Sequence, residues 1–142
     1  MICPPVRRSD FGSDETVWYM EYAMIIKSSD AVPAKPMTMA GANRVTMRML
    51  LGPLEHCPNF AMRKFTVEPG GFTPHHHHDY EHEVLILAGR GEALTPEGTK
   101  PLKSGDVVYV PANEMHQFRN SGAVDFEFIC LVPARVHAPC AG

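Results

Sequence analysis

Apolar positions in this chain recur at every second residue over short stretches, and no helical period runs longer than about two turns. From Arg44 onward, Val45, Met47 and Met49 alternate with Thr46, Arg48 and Leu50, which predicts a strand. Residues 60–68 alternate again, and Pro69-Gly70-Gly71 is expected to stop them. Residues 83–88 form a short β-rich run closed by Gly89-Arg90-Gly91, and Thr95-Pro96-Glu97-Gly98 reads as a hairpin turn. Three further strands are expected: 107–110, ended by Pro111, then 115–119 and 126–132, split by Asn120-Ser121-Gly122. Strands at this spacing predict an all-β antiparallel sandwich or barrel. Residues 1–43 differ, with Pro4, Pro5, Pro33 and Pro36 and no sustained periodicity. They read as an N-terminal arm, in which only 16–26 offers a short helix or strand, ahead of a barrel domain over 44–142. Met24, followed by Ile25, Ile26, Lys27 and Ser28, reads like the start of a small protein, so residues 1–23 are expected to be a dispensable extension.

At 142 residues the chain suffices for one compact domain, and 44% hydrophobic with 20% charged residues is ordinary globular composition. No apolar run exceeds the length of 84–88, far short of the roughly 20 residues a membrane helix needs. Arg7, Arg8, Asp10, Asp14 and Glu15 have no apolar core behind them, unlike a secretory signal, so a cytoplasmic location is expected. A net charge of −3 argues against nucleic acid or an anionic membrane surface as partner. The cysteines, Cys3, Cys57, Cys130 and Cys140, form no C-x-x-C pair and are read as reduced thiols. Gly89-Arg90-Gly91 lacks the third glycine and the following helix of a dinucleotide fingerprint.

Histidine changes the picture. Five of the eight histidines, His75, His76, His77, His78 and His82, fall within eight residues. Neutral imidazole is a good ligand for first-row divalent metals, and such crowding on a β-rich segment points to one. The run is internal, unlike a purification tag. Successive strand side chains face opposite sides. His76, His78 and His82 share the register of Val84 and Ile86, and are expected to point together into the barrel unless a bend at Asp79-Tyr80-Glu81 resets the count. His75 and His77 take the other face, and Glu81 and Glu83 point away. His116, at the start of the strand after Pro111, is placed to return to the same interior.

Both segments resemble the motifs of the cupin family. Gly70, His76, His78 and Gly89 match G-x5-H-x-H-x3-E-x6-G, with His82 at the glutamate position. Gly105, Pro111, His116 and Asn120 match G-x5-P-x-G-x2-H-x3-N, with Asn113 in place of the second glycine. The motifs are in order, with 15 residues between Gly89 and Gly105, and the resemblance covers about residues 44–133. It is nearest to small single-domain cupins that hold manganese with four histidines, a subgroup that PNFAMRKFTVEPGG at 58–71 and FICLVP at 128–133 also fit. The resemblance implies an all-β cupin barrel, or jelly roll, of six or more strands, a metal near its mouth held by His76, His78, His82 and His116, and a homodimer.

Replacing a carboxylate by His82 leaves a divalent metal among four neutral ligands with its full charge, which makes it harder to oxidise. That suits Lewis-acid work or activation of an anion such as peroxide, and six-coordination would leave two adjacent positions open. Manganese is expected from the resemblance; iron, nickel, zinc and copper all accept imidazole, and raw affinity favours copper, nickel or zinc. Phe118 shares a face with His116, and Phe126, Phe128, Cys130 and Val132 share another, so Phe118, Phe128 and Cys130 are candidate pocket residues. Arg63, in register with Phe65 and Val67, is a further candidate, although an arginine there more often lies at a sheet surface or edge. The expected function is dioxygen- or peroxide-dependent oxidation of a small aromatic or unsaturated molecule. The alternatives are a non-catalytic small-ligand or metal-binding cupin and a Lewis-acid lyase or isomerase.

A chain beginning at Met24 is expected to fold and bind metal. Loss of metal binding on that truncation, measured by metal analysis of the purified protein, would show that residues 1–23 complete the site or the dimer.

Overall fold

The computed structural model describes residues 24–137. Cys3 and Cys140, and all of residues 1–23, expected to be an extension, lie outside them; Cys57 and Cys130 form no disulfide among the described residues. The strands are β1 (Lys35–Pro36), β2 (Asn43–Leu51), β3 (Phe60–Phe72), β4 (His82–Ala88), β5 (Arg90–Thr95), β6 (Gly98–Lys103), β7 (Val107–Val110), β8 (Gln117–Asn120) and β9 (Phe126–Pro133). Single 3-10 turns lie at Ser29–Ala31, Pro53–Glu55 and Ala134–Val136. All pairings are antiparallel, in one curled sheet ordered β6-β5-β8-β3-β9-β4-β7, with β2 on β3 and β1 on β2. No helix among the described residues is long and apolar enough to cross a membrane.

Period-two alternation decides what faces inward. On β9, Phe126, Phe128, Cys130 and Val132 are buried and the intervening residues are not; on β4, His82, Val84 and Ile86 are buried while Glu83, Leu85 and Leu87 are exposed. With Val45, Ala61, Phe65, Val67, Ala93, Val110 and Phe118, these apolar residues form one core cluster. Gly91 admits it: a Cβ there would lie 2.4 Å from the Phe126 ring. Thr95 pairs with Gly98 around Pro96-Glu97, a two-residue hairpin loop at the expected place.

Two boundaries differ from expectation by more than one residue. Pro69-Gly70-Gly71 does not end its strand; β3 continues to Phe72. The pairing with β2 jumps from Val45↔Val67 to Asn43↔Phe72, so the extra residues form a bulge. Gly70 sits at φ +79 there, and Arg44 Nη1 donates to the Pro69 carbonyl at 3.1 Å. The strand expected over 115–119 starts at Gln117, because His116 is taken up by a bridge to His76. Within the arm, β1 pairs with β2 through Lys35↔Met47, Met37 N–H donates to the Val45 carbonyl at 2.9 Å, and Arg48 bonds the carbonyls of Asp30 and Val32.

Leu85, Leu87, Val107 and Tyr109 are exposed on the outward side of β4 and β7, and β7 ends the strand order. Such a face favours association. We expect light scattering to give twice the 15.7 kDa chain mass, and Tyr109→Glu with Val107→Lys to shift the protein toward monomer.

Candidate metal centre

The site begins where β3 ends. Thr73 N–H donates to the Phe118 carbonyl at 2.9 Å, and Phe118 N–H donates to Thr73 Oγ1 at 2.9 Å. Three residues further on, His76 and His116 exchange both backbone hydrogen bonds, at 3.2 and 3.0 Å. The two candidate ligands furthest apart in sequence are thereby held side by side. The His78 carbonyl accepts from Asn113 N–H, and Asn113 has φ +66, a left-handed conformation that asparagine tolerates better than most residues. Its presence at a glycine position of the motif therefore costs little. Asn120, buried, donates from Nδ2 to the carbonyls of Val67 and Val124 at 2.8 and 2.7 Å, and its Oδ1 accepts from Gly122 N–H. It pins the β8–β9 turn and is structural.

The bend at 79–81 preserves parity. His75, His77, Asp79 and Glu81 are exposed, while His76, His78, Tyr80 and His82 turn inward. The ring nitrogens of His76, His78 and His116 gather with one donor atom each within 4.8 Å of the others. The Nε2 atoms of His76 and His78 are 3.1 Å apart, a spacing that suits two nitrogens each about 2.1 Å from one ion. His82 stands just behind this trio, its ring centre 4.9 Å from that of His116 and 5.2 Å from that of His78. His82 is 6% exposed, and its Nε2 is buried with no hydrogen-bond partner. A buried imidazole nitrogen without a partner, on a ring packed against those of His78 and His116, is a donor that a divalent cation would satisfy. His116 Nδ1 lies 2.8 Å from the Glu114 carbonyl. A carbonyl only accepts, so Nδ1 carries the proton and Nε2 keeps its lone pair. The donor set therefore fits a divalent transition metal, with His76, His78 and His116 as its core and the His82 ring adjacent, outside the 4.8 Å cluster.

Burial, then the neighbouring rings of His78 and His116, pushes His76 down to about 4; burial, then His116 and Arg63, pushes His82 down to about 3. Burial also lowers His78 and His116. All four rings are neutral at pH 7, the state that binds metal.

Beside the histidines lies a cavity of about 280 Å³, whose walls include Arg63, Phe118, Phe128 and Cys130. Phe128 stacks on Phe65 at 5.2 Å and packs against Phe118 at 5.1 Å. Arg63 is not at the sheet edge. It pairs opposite Cys130 and turns inward with its guanidinium 5.1 Å above the Phe65 ring and Nη2 3.0 Å from Cys130 Sγ. No carboxylate lines the cavity among the described residues.

Sequence reasoning missed Tyr80, Met37, Met39 and His137, which also line it. Tyr80 stacks on His78 at 4.7 Å and 6°; its even register with His78 and His82 was a usable signal. Met37 and His137 come from the two ends of the described chain, and only the tertiary fold brings them here.

The "Cupin domain" family profile matches residues 63–132, the stretch that holds both histidine motifs. This chain belongs to the cupin family. The oxalate-binding protein of Thermotoga maritima is 30% identical to this cupin over 77% of the chain and 93% of that protein. A 1-methylthio-D-xylulose 5-phosphate methylsulfurylase of Rhodospirillum rubrum is 35% identical over 55% of the chain, which spans only 50% of that protein. Among solved structures, the polyketide cyclase RemF of Streptomyces resistomycificus superposes with a TM-score of 0.75 at 27% identity, covering 79% of this cupin and 80% of that chain.

Metal-free protein should lose stability in acid. Folded values of about 4 and 3 for His76 and His82 lie below the ordinary 6.5, so the unfolded chain takes up the extra protons. Stability from these groups is complete above about 6.5 and is lost as the pH falls from there through 4 and 3. Urea midpoints of the metal-free protein should drop between pH 7.5 and 4.5, and His82→Gln should flatten that slope.

Proposed function

We propose that this cupin is a metal-dependent enzyme acting on a small aromatic or unsaturated molecule that carries a carbonyl or anionic oxygen. The observation that carries the reading is the meeting of the imidazole cluster, with no carboxylate among it, and an aromatic cavity containing the guanidinium of Arg63. When bound, a divalent metal supplies Lewis acidity toward a substrate oxygen. His76, His78, His116 and His82 would hold it. Manganese is the proposed ion from the likeness to four-histidine cupins, and iron, nickel, zinc and copper suit the same nitrogens.

The chain's own residues supply the rest. Phe118 and Phe128 offer flat apolar walls for a planar substrate, and a cavity of about 280 Å³ limits it to small molecules. Arg63 attracts the anionic oxygen and, like the neutral histidines, adds no negative charge that would ease oxidation of a metal. Tyr80, half-buried with a phenol raised by burial above its usual range, keeps its proton at neutral pH and can donate a hydrogen bond. This charge balance favours Lewis-acid chemistry of the isomerase, lyase or cyclase kind, and the likeness to a polyketide cyclase supports it.

A second reading, dioxygen- or peroxide-dependent oxidation, draws on the same nitrogens, which accept redox-active manganese and iron, and on the aromatic wall that would hold an alkene or arene. Similarity to an oxalate-binding protein supports small-ligand binding without turnover as the further alternative.

Protein made without a histidine-affinity step should be assayed for metal, then reloaded with zinc or manganese. A panel of enolisable aryl ketones and styrene-like alkenes, with and without peroxide, then separates the readings. Turnover with zinc and no oxidant is expected, with His116→Ala at least about 100-fold slower. Product only with manganese and oxidant moves the assignment to oxidation. Equal product from wild type and His116→Ala would show catalysis by free metal. Tight binding without turnover would leave a binding protein.

A further inference from the structure

His82 faces two ways. Its Nε2 is buried without a partner, on a ring whose centre lies 4.9 Å from that of His116 and 5.2 Å from that of His78. Its Nδ1 faces the opposite direction, 3.3 Å from Cys130 Sγ and 3.5 Å from Arg63 Nη2. A neutral imidazole carries one proton, so what Nδ1 does decides whether Nε2 has a lone pair to give.

The partners of Nδ1 settle the direction. Arg63 has only donors, and its better contact is not the ring but the sulfur, at 3.0 Å against 3.5 Å. Cys130 Sγ has an outlet for its own proton in the Leu131 carbonyl, 3.9 Å away. The sulfur is then free to accept from both sides, from Arg63 Nη2 and from His82 Nδ1–H. The opposite arrangement would have Nδ1 accept and Nε2 carry the proton. That would bury an N–H with no acceptor. The tautomer that satisfies more groups is the one that leaves Nε2 unprotonated.

We propose that Cys130, held in place by Arg63, is a positioning residue that accepts the Nδ1–H of His82 and so commits its Nε2 to the metal as the fourth ligand. The Glu114 carbonyl does the same for His116 at 2.8 Å. A main-chain carbonyl serves one histidine and a side-chain sulfur the other. Carboxylates and carbonyls usually fill this outer role, and their loss typically weakens metal binding about 10–100-fold. The inference rests on the metal-dependent reading of the pocket, and it gives Cys130 a task in which the thiol stays reduced.

The test uses the full chain and the metal ion alone. Zinc affinity is measured by competition with a chelator for wild type, Cys130→Val, Cys130→Ser and His116→Ala. Tautomers in the metal-free protein are read from the nitrogen shifts of the imidazoles by NMR. Expected results are a Nδ1–H tautomer for His82 in wild type, a shift toward Nε2–H in Cys130→Val, and a fall of about 10–100-fold in zinc affinity for that variant. Cys130→Ser, which keeps an acceptor, should recover most of the affinity. A packing role alone would not move the tautomer, nor distinguish serine from valine in that way. A Nε2–H tautomer for His82 in wild type, or unchanged zinc affinity in Cys130→Val, overturns the proposal while the metal site stands. Zinc binding by His116→Ala equal to wild type would overturn the metal reading itself, and this inference with it.

Discussion

Two backbone hydrogen bonds, between His76 and His116, hold the site together. They join a segment leaving β3 to one entering β8, forty residues later in the chain. Everything metal-related follows from that clasp and from the alternation that runs through it. With His76 fixed, strict side-chain parity delivers His78, Tyr80 and His82 to the same interior and sends His75, His77 and Glu81 to solvent. The same register continues into Val84 and Ile86, so the histidine row and the core row are one line of residues. A change of one residue between 76 and 82 would turn His82 outward and carry glutamate in.

This continuity has an energetic consequence. Imidazoles placed in line with a hydrophobic core are desolvated, and His82 is as buried as Phe65. Desolvation holds the rings neutral, which prepares them for a cation, and it also leaves nitrogen atoms without partners. The protein offsets part of that cost with fixed acceptors, Glu114 for His116 and the sulfur of Cys130 near His82. Arg63 contributes a cation that no carboxylate of the cavity neutralises. The pocket therefore combines aromatic walls with a guanidinium, a lining that suits the small electron-rich substrates we propose better than it suits cations.

Alternation, the turn residues and the crowding of histidines determined, from the sequence by itself, an antiparallel β-fold and the inward set His76, His78 and His82. Those are local properties: a two-residue period and a preference for tight turns act over a few residues and need no partner strand. Even the cavity wall from Phe118, Phe128 and Cys130 followed from parity once inward was defined. The turn after Pro111 placed His116 to return to the same interior, and the family resemblance made it a candidate ligand.

The tertiary structure alone decided what depends on distant segments meeting. Pro69-Gly70-Gly71 reads locally as a stop, but β2 supplies a bulged partner through Arg44, and β3 runs on to Phe72. Arg63 reads as a surface residue until its pairing with Cys130 turns it into the cavity. Met37 and His137 join that cavity from either end of the described chain. The three imidazoles that gather most closely, with His82 one step behind, are a matter of ångströms set by packing across four strands. Periodicity fixes which face a side chain takes; only the folded sheet fixes which side chains then meet, because that depends on registers between strands far apart in sequence.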